Sequence, residues 1–125
     1  MAITHTTAAR DTISDAVTAL IDSGGAGKLR ITTSAPATLV EITFGATAFG
    51  NSSVGVCTVN GLPLEGTASG TGVAAICKLI NGSSTDVITG TVTATGGGGD
   101  LTLVSTTITS GEVVRLTAGT YTAPP

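Results

Sequence analysis

Hydrophobic and polar positions change their period once along this 125-residue chain. Near the start, Ala9, Ile13, Ala16, Val17, Leu20 and Ile21 fall at i, i+4, i+7, i+8, i+11 and i+12. That spacing marks one face of an amphipathic helix from about Thr7 to Asp22. Thr6 or Thr7 is placed to cap the first turn, Asp11 and Asp15 lie toward its positive end, and Gly24-Gly25 lets it stop. The apolar stripe needs a cover, either the edge of the chain's own sheet or a neighbouring subunit.

From Lys28 onward the period is two, in short runs separated by Gly, Ser, Asn and Pro. The runs predict seven strands: Lys28 to Thr33, Thr38 to Phe44, Val54 to Asn60, Val73 to Ile80, Val87 to Thr95, Leu101 to Ile108 and Val113 to Tyr121. Val40, Ile42 and Phe44 share one face of the second, with Leu39, Glu41 and Thr43 on the other. In the last, Val114, Leu116 and Ala118 alternate with Arg115, Thr117 and Gly119. Val73 to Ile80 is apolar on both faces apart from Lys78, which predicts a central strand covered on both sides. Asn81 to Asp86 reads as a hairpin loop, and Gly96 to Gly99 followed by Asp100 as another. Four glycines in a row are costly to order, so that tip is expected to be mobile or fixed by a partner.

The layout predicts a mainly β protein: a single β-sandwich, jelly-roll-like, of about seven strands with one N-terminal amphipathic helix. It divides into an arm and helix over 1–27 and a sandwich over 28–125, one structural domain overall. Composition agrees. Thr, Ser and Gly make up 53 of 125 residues, and the aromatics are Phe44, Phe49 and Tyr121, so the core falls to Val, Ile, Leu and Ala.

Charge changes the picture more. Only 10% of residues are charged, and none lies between Ile42 and Leu64 or between Gly66 and Cys77. Mean hydropathy is +0.47, yet no apolar stretch reaches the roughly 18 residues of a membrane span. More protein is therefore the expected cover for this surface. Net charge is −3, and Arg10, Lys28, Arg30, Lys78 and Arg115 are scattered, which argues against direct nucleic-acid binding. The first residues lack the basic region and apolar run of a secretory signal, so an intracellular origin is expected. Cys57 and Cys77 are then expected as free thiols.

No constellation carries chemistry. His5 has no nucleophile or carboxylate at useful spacing and reads as a residue of a solvated arm. Gly66 to Gly72 resembles a phosphate loop, but no Lys-Ser/Thr pair or helix follows it. Gly50 to Gly55 carries serines without the context of a nucleophile elbow and reads as a turn. Asn51 and Asn81 begin Asn-X-Ser patterns that would matter only on a secreted chain. The five Asp and three Glu are spread out, and two Cys with a distant His make no zinc spacing. Catalytic, cofactor-binding and metal-ligating residues are each expected to be none, and the chain is expected not to be an enzyme.

Four segments carry a resemblance: Asp15-Ala-Val-Thr-Ala-Leu-Ile-Asp22; Leu39-Val-Glu-Ile-Thr-Phe44 with Ala48-Phe49-Gly50; Gly90 to Leu103; and Ser110 to Pro124. Together they make the chain similar to small virion structural proteins of tailed bacteriophages. The resemblance implies a role on the particle, as a decoration or cement protein stabilising the head lattice. Its implied partners are the chain itself, as a homo-oligomer such as a trimer, and the major capsid protein. The implied location is the virion, assembled in the bacterial cytoplasm. A tail tube or minor tail protein, or an adhesive host-binding module on a fibre, are the alternatives, and three aromatics make a poor glycan platform.

Overall fold

A computed structural model describes residues 3–123; residues 1, 2, 124 and 125, and with them the tip of the arm and Pro124 of the last resemblance segment, lie outside the described residues. The helix α1 spans Thr7–Ile21. Thr6 caps it, its Oγ1 accepting from the Ala9 N–H at 3.2 Å, as its position before the apolar period predicts. The helix stops at Asp22, and Gly24 and Gly25 follow with φ of 77° and 116°.

The face that α1 buries is only partly its apolar stripe. Ser14, Thr18 and Ile21 are buried, Ala9, Ile13 and Val17 are half-buried, and Ala16 and Leu20 are exposed, Leu20 at 56%. Asp11, Ser14, Asp15, Thr18 and Asp22 recur at i, i+3, i+4, i+7 and i+11, a second helical period made of polar residues. This stripe meets the segment from Ala48 to Cys57. Ser14 Oγ donates to the Gly55 carbonyl at 2.7 Å. Asp11 accepts from the Gly55 N–H at 2.6 Å and the Ser52 hydroxyl at 2.8 Å. Asp15 accepts from the Ser52 N–H at 2.7 Å, and Asp22 from the Ala48 N–H at 2.8 Å. Charge-assisted bonds of this kind are stronger than neutral ones, and here they act beside the buried Ile21 in fixing the docked face.

Eleven strands are present among the described residues: β1 Lys28–Thr32, β2 Thr38–Thr43, β3 Val56–Thr58, β4 Leu64–Thr67, β5 Gly72–Val73, β6 Ile76–Ile80, β7 Asp86–Ala94, β8 Leu101–Leu103, β9 Thr107–Ile108, β10 Val113–Leu116 and β11 Thr120–Thr122. Five form one curled sheet in the order β2-β1-β6-β7-β8; the rest form two-stranded ribbons, β10-β4, β11-β3 and β5-β9. The chain is thus mainly β with one helix. The core runs through Leu29, Ile31, Val40, Ile42, Phe44 and Phe49.

Three predicted runs break. Val73 to Ile80 divides at Ala74 and Ala75, whose N–H groups turn to Thr106 O and Thr32 O. Its second half, β6, is central, paired with β1 and β7, but Ile76, Cys77, Lys78 and Leu79 are only half-buried, so neither face is fully covered. Leu101 to Ile108 divides into β8 and β9. Val113 to Tyr121 divides into β10 and β11, which pair with different partners. Leu39, on the face it shares with Glu41 and Thr43, is 1% exposed because Ser69 and Gly70 fold back and donate to its carbonyl.

The hairpin at Asn81 is present: Asn81 Oδ1 accepts from the N–H groups of Ser83 and Thr85, both at 2.9 Å. The glycine tip is different. β7 and β8 pair in parallel, Val92 with Leu101 and Ala94 with Leu103, so residues 95–100 reverse the chain twice instead of closing a hairpin. A parallel return usually takes a dozen residues or more. Glycine makes this shorter one possible: Gly96 and Gly98 have φ of 89° and 80°, and a Cβ on Gly97 or Gly99 would stand 2.8 Å from Thr93 side-chain atoms. The tip has bonds of its own within the chain. Thr93 Oγ1 accepts from the Gly99 N–H at 3.0 Å, and Asp100 accepts from the Thr91 N–H and hydroxyl at 2.9 and 3.1 Å.

Candidate functional site

Register places Leu29 opposite Leu79, Leu79 opposite Ile88, and Cys77 opposite Gly90, so these residues share one face of the curled sheet. That face looks into a cleft of about 590 Å³. Leu116, Ala118 and the strand β11 line it as well, with Phe44, Phe49, Val59, Asp100 and Leu101. The rings of Phe44 and Phe49 sit 5.9 Å apart at 49°. A second, smaller space of about 210 Å³ continues from it between β8 and β10, over Leu29, Ile31 and Ile42. The larger cleft has the volume and the apolar walls with few polar groups that ligand sites show.

Its polar groups do not assemble a reaction. Burial, and then the nearby charge of Asp100, push the Cys77 thiol above its ordinary range, so it stays protonated at neutral pH and is a poor nucleophile. The Thr91 N–H, and then its hydroxyl, hold Asp100 below the usual carboxylate range. His5 lies on the arm ahead of α1 and does not line the cleft.

The second cluster sits where α1 meets the Gly50–Gly55 turn. Val54 and Gly55 both have positive φ, 52° and 76°, and Ser53 and Val56 exchange backbone bonds across them at 2.9 and 3.0 Å. A β-branched residue is strained there and persists because the helix holds Gly55 by both backbone groups. The Gly55 N–H, then the Ser52 hydroxyl, lower the Asp11 pKa. Burial raises that of Cys57, whose Sγ is 3.7 Å from Asp15 Oδ1. The carboxylates are occupied by the turn, which makes the cluster a clamp. Cys57 and Cys77 are both free thiols. Among the described residues, no three His, Cys, Asp or Glu side chains converge as a metal site would require, and no helix is long and apolar enough to cross a membrane.

The third feature is a pole without charge. The loop Thr33–Ala37, the stretch Gly66–Ala75 and the stretch Leu101–Gly111 are joined there: Gly111 N–H to Ala68 O at 2.8 Å, Ser110 N–H to Thr71 Oγ1 at 3.0 Å, Ala74 N–H to Thr106 O at 2.8 Å and Ala75 N–H to Thr32 O at 2.9 Å. None of the three carries a charged residue, and Glu112 is at the rim. Val73, Val104 and Val113 are exposed on or beside it, Val104 at 97%. The charges lie elsewhere: Arg30 and Lys28 on Glu41, Lys78 on Asp86, Arg115 on Glu65, and Arg10 on the Ala123 carbonyl. The Gly66–Gly72 segment, superficially like a phosphate loop, lies in this pole and precedes β5, not a helix.

The uncharged stretches were visible in the sequence; their meeting at one end was not, because it depends on bonds such as Ala74 to Thr106 and Gly111 to Ala68, between residues far apart in the chain. The cleft was signalled only by the doubly apolar run ending at Ile80. No protein-family model, characterised protein or solved structure matches the chain at a significant level.

Proposed function

We propose that this chain is a non-enzymatic structural subunit of a tailed-phage virion, a decoration or cement protein that associates with itself and with the major capsid protein to stabilise the head lattice. The observation that carries the reading is the uncharged pole with Val73, Val104 and Val113 in solvent. Small apolar and hydroxyl side chains permit close approach without stripping water from charges, which suits contacts repeated in many copies. In this reading the ribbons packed over the curled sheet complete a sandwich-like, jelly-roll-like shell that presents the pole. The free energy of such contacts goes into the particle and not into a transition state.

Electron microscopy of purified particles, with protein labelling and copy number, tests the proposal. Head location at hundreds of copies supports decoration. A location on the tail would transfer the chain to the tube or minor tail proteins, and absence from particles would refute the virion reading.

A further inference from the structure

The strands nearly close a ring. By hydrogen-bonded pairing they run β8, β7, β6, β1, β2. Packing continues the path from β2 to β4, where Gly66 lies against the Glu41 carbonyl and Ser69 and Gly70 donate to Leu39 O. The path ends at β10, which pairs with β4 alone. β8 likewise has a partner on one side only, β7. Residues 100–103, from β8, and 114–118, from β10, both line the smaller space, together with the apolar side chains of Leu29, Ile31 and Ile42.

We propose that the slot between β8 and β10 receives an extended segment of a partner protein, apolar on alternate residues and carrying one basic side chain that meets Asp100. Unpaired strand edges are templates for strand addition, and here two edges would satisfy both sides of one incoming strand. Leu29, Ile31 and Ile42 are apolar, which suits alternate apolar side chains pointing in among them. The charge of Asp100 selects the basic residue. Asp100 stands in both spaces, and its carboxylate is bonded to the neutral Thr91. Lys28, Arg30, Lys78 and Arg115 are paired with other carboxylates, and Arg10 with a backbone carbonyl.

The same inventory argues for a different protein rather than a second copy. Every Lys and Arg of this chain sits on α1, β1, β6 or β10, inside an element already packed. A small apolar ligand would fill the space but leave both edges unpaired. The inference rests on the assembly reading only for the source of the strand; the slot follows from the topology.

The test uses the full chain and a fluorescein-labelled, end-blocked peptide of sequence Lys-Val-Thr-Val-Thr-Val, followed by fluorescence anisotropy. Saturable binding is expected, weakened at least tenfold by Asp100→Asn and abolished by Ala118→Trp, whose side chain enters the slot. Ala118→Leu replaces it if the Trp variant does not melt cooperatively. The same peptide with its central Val replaced by Pro, which removes a backbone donor, is expected not to bind. No binding by the parent peptide overturns the proposal, as does equal binding of the Pro peptide or indifference to both variants. Self-association that Ala118→Trp abolishes would put a second copy in the slot and overturn the assigned occupant. Particle association without peptide binding would refute the slot alone, and peptide binding without particle association would refute the virion reading alone.

Discussion

Replacing Ser14 by Ala tests how the helix is held. Ser14 is fully buried, and its hydroxyl donates to Gly55 O at 2.7 Å. The Gly55 carbonyl keeps a second donor, the Ala123 N–H at 2.9 Å, so truncation removes one bond without orphaning the acceptor. The expected loss is that of a single neutral hydrogen bond, about 0.5–1.5 kcal/mol. With an unfolding entropy of roughly 2.1 cal/mol/K per residue, the midpoint falls by about 2–6 °C. The companion change, Leu20→Gln, swaps residues of nearly equal helix propensity at a position 56% exposed and should stay within about 0.5 kcal/mol. Both are read by thermal and urea melts followed by circular dichroism at high dilution. If the outer part of the apolar stripe, where Leu20 lies, held the helix to the domain, the order would reverse. A neutral Ser14→Ala beside a Leu20→Gln loss above about 1.5 kcal/mol, the scale of a buried aliphatic side chain, would refute docking through the polar face.

Acid should loosen the same clamp. The Asp11 pKa is lowered in the folded chain, so its contribution is present above the ordinary carboxylate value and is lost as pH falls through the folded one. Stability measured by urea titration should drop below about pH 4, and Asp11→Asn should flatten that drop. A Cβ on Gly66 would collide with the Glu41 carbonyl, so Gly66→Ala should cost about 1–3 kcal/mol by forcing β4 away from β2, checked by chemical denaturation. Iodoacetamide with mass spectrometry should modify half-buried Cys77 before Cys57, which is 0% exposed; both should react slowly at neutral pH because burial raises both thiols. An occupant of the cleft should protect Cys77 and leave Cys57 unchanged.

Local order was legible in the chain and non-local order was not. The helix, its Thr6 cap, β1, β2 and the Asn81 hairpin follow from short-range signals: periodicity, capping chemistry and an Asn side chain that bonds its own turn. β4 escaped because Leu64-Glu-Gly-Thr67 is too short and too glycine-interrupted to alternate; its pairing with β10 makes it a strand. The break between Leu116 and Thr120 has no local cause either, since it arises where β10 and β11 leave for different partners. The helix carried two stripes at the same period, and hydrophobicity singled out the one that is covered only in part, through Ile21 and half-buried Ala9, Ile13 and Val17. The pole and the slot are products of topology: each joins segments whose composition is visible one at a time and whose neighbours are fixed only by the fold.

The proposed role requires the uncharged pole to be a contact surface. Light scattering on the isolated protein, beside a Val73→Asp, Val104→Asp double variant, measures that directly. The account predicts a multimer for the parent chain and a folded monomer for the variant. A parent chain that stays monomeric to millimolar concentration, or a variant that assembles as the parent does, would contradict it.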